Sequence, residues 1–177
     1  MTFSAGNIVL VGMMGAGKTR VGKELSRRLN LPFFDSDAEI EQAMGLPVAE
    51  IFEKRGEALF REAEKETMLR LLKNPPCVIA TGGGAFMQQD IRDAVLRHSI
   101  CIWLQADFDT LYARTKYVSH RPLLQGDRAE KLKSLMAARE PVYAQAHIAV
   151  VSDGRSPKQT AMTAEAALGA WRSRCAA

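Results

Sequence analysis

The chain has 177 residues, 47% of them apolar and 25% charged, with a formal net charge of +4. That length suits one large domain rather than two full ones, and the composition is that of an ordinary soluble globular protein. The small charge without a long basic run argues against nucleic acid, no apolar run approaches a membrane span, and the N-terminus lacks the pattern of a secretion signal, so a cytoplasmic protein is expected.

Apolar runs of strand length alternate with longer helix-period segments, which predicts an α/β fold, a parallel sheet with helices on both faces. Strands are expected near 7–11, 32–35, 77–81, 99–104 and 147–152. Helices are expected over 17–30, 37–44, 47–73, 88–97, 107–115, 128–145 and 157–174. In such a sheet ligands gather beyond the carboxyl ends of the strands, so the residues just after each strand matter most.

After Ile8-Val9-Leu10-Val11 comes Gly12-Met13-Met14-Gly15-Ala16-Gly17-Lys18-Thr19, which fits G-x-x-x-x-G-K-[ST] between a strand and a helix. Glycines let the backbone turn a ring of N–H groups inward, and the following helix adds the positive end of its dipole. Together they cradle nucleotide phosphates, with Lys18 reaching the β- and γ-phosphates and the Thr19 hydroxyl offering a ligand to Mg²⁺.

The second strand ends in Asp35-Ser36-Asp37. Two aspartates at a strand-to-helix junction serve either as helix caps, Asp37 preceding Ala38-Glu39-Ile40, or as a Mg²⁺ partner and an acceptor for a substrate hydroxyl. Beside a phosphate-binding loop the functional reading takes precedence.

Residues 47–73 form an amphipathic segment in which Val48, Ile51, Phe52, Leu59, Phe60, Met68 and Leu72 recur at helical spacing, with Gly56 expected to bend or break it. Arg61 and Glu64, three apart, read on their own as a surface pair. Thr81-Gly82-Gly83-Gly84 follows the third strand and marks either a tight turn or a close approach to the backbone. Cys77 and Cys101 open apolar runs and suit small buried hydrophobes. Cys175 is remote, and His98, His120 and His147 are isolated, which argues against zinc.

Residues 115–127 read as a long loop between helices, a length typical of lids, where an arginine would close over phosphates; the plainer alternative is a solvated basic turn. Arg139-Glu140-Pro141-Val142-Tyr143 ends the next helix, and the proline limits its regularity. The last strand is followed by the turn formers Ser152-Asp153-Gly154-Arg155-Ser156-Pro157. No heptad pattern or surplus apolar segment asks for a partner, so a monomer is expected.

These pieces, in one order over almost the whole chain, resemble the shikimate kinase family of the nucleoside-monophosphate-kinase-like P-loop proteins. They are Gly12–Thr19, Phe34-Asp35-Ser36-Asp37, Ile51-Phe52, Gly56-Glu57, Phe60-Arg61 with Glu64, Gly82-Gly83-Gly84, Arg121-Pro122-Leu123-Leu124, and Arg139 with Pro141 and Tyr143. The resemblance implies a three-layer α/β/α domain over residues 1–177 with a five-stranded parallel sheet ordered 2-3-1-4-5. It further implies a substrate-binding helical segment at about 36–62 and a lid at about 114–127.

The activity it implies is transfer of the γ-phosphoryl of ATP to the 3-hydroxyl of shikimate, giving shikimate 3-phosphate and ADP. Lys18, Asp37 and Arg121 then take the catalytic roles, with Asp37 orienting or deprotonating the attacking hydroxyl. Gly12 to Thr19, Arg114, Arg121, Arg155 and Pro157 surround the nucleotide. Asp37, Arg61, Gly83, Gly84 and Arg139 bind shikimate, the two arginines gripping its carboxylate. Glu64 orients Arg61 from behind, and Thr19 and Asp35 serve Mg²⁺. No firm pattern covers Lys116–His120. The nearest alternatives are a gluconate or nucleotide kinase of the same branch and, from another class, a non-catalytic ATP-dependent switch.

Overall fold

The computed structural model describes residues 6–115 and 127–176. Five parallel strands, β1 (Asn7–Val11), β2 (Phe33–Asp35), β3 (Val78–Ala80), β4 (Ser99–Gln105) and β5 (Ile148–Val151), form one sheet in the order β2-β3-β1-β4-β5, as expected. Every residue of the central β1 is buried, the signature of a strand covered on both faces. The register pairs Leu10 with Ala80 and Asp35 with Ala80, so the loops after β1, β2 and β3 leave from one rim.

The helices are α1 (Lys18–Leu29), α2 (Ser36–Met44), α3 (Val48–Arg55), α4 (Glu57–Leu71), α5 (Gln89–His98), α6 (Phe108–Thr115), α7 (Arg128–Tyr143) and α8 (Pro157–Ala176). Val21, Gly22, Leu25 and Ser26 form the buried face of α1, and the helix stops where Asn30 turns left-handed at φ 51°. A main core of β-strand residues with α1, α5 and α8 runs through the molecule, while Ile40, Ile51 and Phe60 of α2, α3 and α4 make a separate small core.

The segment 47–73 breaks at Gly56, as expected: it is two helices, because Gly56 adopts φ 84° and ψ 163°, which cannot continue a helix. Two features differ in detail from the sequence expectation. A short 3₁₀ turn at Ala85–Met87 follows the glycines. Helix α7 runs through Pro141 to Tyr143; so near a helix end the missing N–H removes a single bond. Cys77 and Cys101 are buried, as expected. The expected lid, including Arg121, Lys116 and His120, falls almost wholly on 116–126 and lies outside the described residues.

Candidate active site

The strand-end loops of β1, β2, β3 and β5 surround a cavity of about 760 Å³. On one side is the phosphate-binding loop, whose Gly12, Gly15 and Gly17 take φ values of 140°, 84° and 94° that side chains with a Cβ rarely adopt. Gly17 caps α1 without any side-chain acceptor, so the first-turn N–H groups have no capping side chain to compete with an anion. Lys18 is 8% exposed, and its ammonium donates to the carbonyls of Gly12 at 2.8 Å and Met13 at 3.0 Å.

Met14 to Thr19 line the cavity, but Gly12 and Met13 do not. Gly12 packs behind the loop, where a Cβ would meet the Leu104 carbonyl at 2.6 Å, and Met13 is buried. Their share in the site is to hold Lys18 through their carbonyls.

Asp35 and Asp37 divide the two roles that the sequence leaves open. Asp35 is the N-cap of α2: its Oδ1 accepts from the N–H groups of Asp37 at 3.1 Å and Ala38 at 3.4 Å. Its Oδ2 accepts from the Thr19 hydroxyl at 2.6 Å. A hydroxyl and a carboxylate side by side at the phosphate loop are hard oxygen donors of the kind Mg²⁺ takes, with water and phosphate supplying the rest. Among the described residues no group of three or more acidic, histidine or cysteine side chains stands ready for a metal.

Asp37 is half-buried and lines the cavity, yet its Oδ1 is out of solvent without a hydrogen-bond partner. Burial, then the Asp35 and Glu64 carboxylates, push its pKa up to about 6, against the pull of Lys18.

Arg61 and Glu64 are not the surface pair that their spacing suggests. Glu64 is only 1% exposed and accepts from Arg61 Nη1 at 2.7 Å and from Gln88 Nε2 at 2.8 Å, leaving Oε1 unpartnered. Burial raises its pKa, and the Arg61 contact opposes that rise. The guanidinium carbon of Arg61 lies 5.8 Å from the Phe52 ring centre and 5.4 Å from that of Phe60. Arg139, 9% exposed, donates from Nη1 to the Gly83 carbonyl at 3.2 Å, and the Tyr143 hydroxyl donates to the same oxygen.

The three glycines make room for these side chains. A Cβ on Gly82 would stand 2.6 Å from Asp37 Oδ1 and 2.8 Å from Glu64 Oε1; one on Gly84 would stand 2.6 Å from Arg61 Nη1. The Gly82 N–H donates to the Ser36 hydroxyl at 2.9 Å, tying β3 to α2. Gly83 lies between Met14 N and Arg139, bringing the phosphate loop beside the second arginine.

Arg114 bridges the far end, donating to the carbonyls of Gly15 and Ser152, each at 3.2 Å. Arg155 and Pro157 line the same end, where Arg155 donates to the Thr163 hydroxyl at 2.9 Å. Sequence reasoning assigns no role to Ser36, Glu57, Gln88 or Tyr143. Tyr143 is four residues after Arg139 and so shares its helix face, a signal the spacing does carry. Ser36 and Gln88 act only through tertiary contacts, which no local pattern announces.

The cavity therefore joins a phosphate loop to a compartment with two arginines and a half-buried aspartate. A family model described as shikimate kinase matches residues 14–168. A shikimate kinase from Cereibacter sphaeroides is 48% identical over 162 residues, covering 91% of this chain and 81% of that one. The structure of shikimate kinase from Acinetobacter baumannii in complex with shikimate superposes with a TM-score of 0.88 at 37% identity, over 90% of each chain. A gluconokinase from Sinorhizobium meliloti, at 17% identity and a TM-score of 0.54, shares the fold alone. With motif order, cavity and relatives in agreement, the chain belongs to the shikimate kinase family.

Proposed function

We propose that the cavity brings ATP and shikimate end to end around Lys18, and that its side chains divide the phosphorylation of shikimate between them. The observation that carries this reading is Asp37: it lines the same cavity as Lys18, Arg61 and Arg139, while its buried Oδ1 has no hydrogen-bond partner. A buried carboxylate short of donors is costly, which leaves Asp37 ready to accept from a substrate hydroxyl.

In the reaction the γ-phosphorus of ATP exchanges its bond to the β-phosphate bridging oxygen for a bond to the shikimate 3-hydroxyl oxygen. Asp37 accepts the hydrogen bond of that hydroxyl and takes its proton as the new bond forms; a carboxylate with a pKa near 6 is a better acceptor than an ordinary aspartate. Lys18 leaves the Gly12 and Met13 carbonyls to meet the phosphates, and its charge offsets what accumulates on the transferring group. Arg61 and Arg139 orient the shikimate carboxylate, since paired N–H···O bonds fix direction as well as adding energy. Gly83 and Gly84 let the substrate approach the backbone between them. Glu64 holds Arg61.

Thr19 and Asp35 would hold Mg²⁺, which when bound neutralises phosphate charge and fixes phosphate geometry. Arg114, Arg155 and Pro157 take the adenosine end. Arg121, from its sequence match, closes on the phosphates. We read residues 1–177 as a single kinase domain, monomeric and cytoplasmic, with a substrate segment at about 36–62 and a lid at about 114–127. Among the described residues the large exposed apolar side chains are the scattered Leu59, Tyr112, Val151 and Met162, which suits a monomer without nucleic-acid partners.

A coupled ADP assay across shikimate, gluconate and nucleoside monophosphates tests the reading. ADP release is expected to depend on shikimate. Turnover of gluconate or a nucleotide with shikimate inert would overturn it, and ATP hydrolysis indifferent to any acceptor would favour a switch.

A further inference from the structure

In the ligand-free protein all three nitrogens of the Arg61 guanidinium donate to carboxylates, but the two carboxylates hold it very differently. Nη1 donates to Glu64, which is 1% exposed and itself anchored by Gln88. Nε and Nη2 donate instead to one oxygen of Glu57, at 3.2 and 3.1 Å, and the Glu57 side chain is 59% exposed.

Breaking a buried charged contact strands a charge and is strongly unfavourable, whereas an exposed i,i+4 ion pair contributes little. An incoming carboxylate that takes the side-on, two-bond grip of Arg61 therefore competes for the Nε–Nη2 edge, the edge that Glu57 occupies. Glu57 can leave cheaply. It is the first residue of α4, follows Gly56 at an open point where nothing lies within 4 Å of a built Cβ, and stays favourable in the first helical turn when its side chain turns to solvent.

We propose that Glu57 is an internal stand-in for the carboxylate of the substrate, occupying the outer edge of Arg61 until the acid displaces it, and that this competition weakens and so sets shikimate affinity. The proposal rests on the reading of Arg61 as a carboxylate grip. It makes Glu57 an affinity-setting residue that acts through Arg61 and touches no reacting atom.

Two variants separate competition from orientation. Glu57→Gln keeps an acceptor but removes the charge, and Glu57→Ala removes both. Competition predicts that shikimate binds more tightly to each, by roughly two- to fivefold in calorimetry without nucleotide, the scale of an exposed ion pair. The same change should appear in KM for shikimate rather than in kcat or in KM for ATP. It should vanish for an analogue in which the carboxylate is reduced to a hydroxymethyl group. Equal or weaker binding by both variants would overturn the proposal and make Glu57 an orienting partner of Arg61. Arg61→Ala tests the ground beneath: if that variant binds shikimate normally, the carboxylate grip itself is wrong. Weakened binding there with no tightening in the Glu57 variants would sink the competition alone.

Discussion

Replacing Asp37 by asparagine should make the ligand-free protein more stable and the enzyme nearly inactive. The Asp37 carboxyl has its pKa raised from 3.8 to about 6 by burial and by the carboxylates of Asp35 and Glu64. A folded-state pKa above the unfolded value means that the native state binds the proton more tightly. Ionisation therefore costs stability as pH rises from about 4 through about 6, and the full cost is present above that. Two pKa units correspond to about 3 kcal/mol, close to an upper bound because the residue opens onto a wet cavity.

Asparagine removes the charge, and its amide nitrogen can donate to the unpartnered Glu64 Oε1, which faces the same point above Gly82. At pH 8 the variant should gain up to about 3 kcal/mol, or on the order of 6–12 °C in Tm for a chain of this size, with the gain shrinking towards pH 5. Turnover should fall by at least about 100-fold, since the acceptor of the hydroxyl proton is lost. Thermal unfolding in EDTA without nucleotide, at several pH values, and the coupled ADP assay measure the two sides. A variant no more stable than the parent at pH 8, or with the same pH dependence, would refute the burial argument; near-normal turnover would refute the role.

Lys18→Ala should leave a folded protein, seen by circular dichroism, with turnover lowered by at least about 100-fold, because the ammonium that leaves the Gly12 and Met13 carbonyls is the one charge on this loop. Gly82→Ala should weaken shikimate binding and slow turnover, since its Cβ would stand 2.6 Å from Asp37 Oδ1 and 2.8 Å from Glu64 Oε1; unchanged kinetics would show that both carboxylates move aside freely. Of the three thiols only Cys175 is exposed, while burial pushes Cys77 up to about 11 and Cys101 higher still, so one equivalent of a thiol reagent should react in the native protein and three on unfolding.

Much of this site is legible in the sequence, and the pattern of what is not has a physical cause. The phosphate loop can be read because its function needs backbone conformations that few residues adopt, and the glycines that adopt them stand in fixed places. Strand order brings Asp37 and the three glycines to the same rim, so a strand-end rule finds them without coordinates. Burial is harder. Arg61 and Glu64 carry the spacing of a solvated pair, and only the packing of α4 against the glycines after β3 makes Glu64 a buried anchor. Capping is divided unexpectedly as well: Asp35 caps α2, which frees Asp37 to face the cavity. Gln88 and Ser36 lie 24 and 46 residues from their partners Glu64 and Gly82, and nothing local marks such pairs.

The ligand-free cavity has the unfilled hydrogen bonding that the two proposed substrates would complete. Four of the cations that line it donate to neutral or exposed acceptors: Lys18 to the Gly12 and Met13 carbonyls, Arg114 to those of Gly15 and Ser152, Arg139 to that of Gly83, and the outer edge of Arg61 to an exposed glutamate. Carbonyl oxygens carry partial charges, so phosphate or carboxylate oxygens outbid them. Among the described residues the buried side-chain atoms without partners are two carboxylate oxygens, on Asp37 and Glu64, and what they lack is a donor. Anions for the cations and hydroxyl hydrogens for the carboxylates are both required. A nucleotide triphosphate alone leaves Asp37 unsatisfied, and a hydroxy acid alone leaves Lys18 on its carbonyls. On the proposed reading, occupancy by both would complete the hydrogen bonding and set the hydroxyl beside the phosphoryl group it attacks.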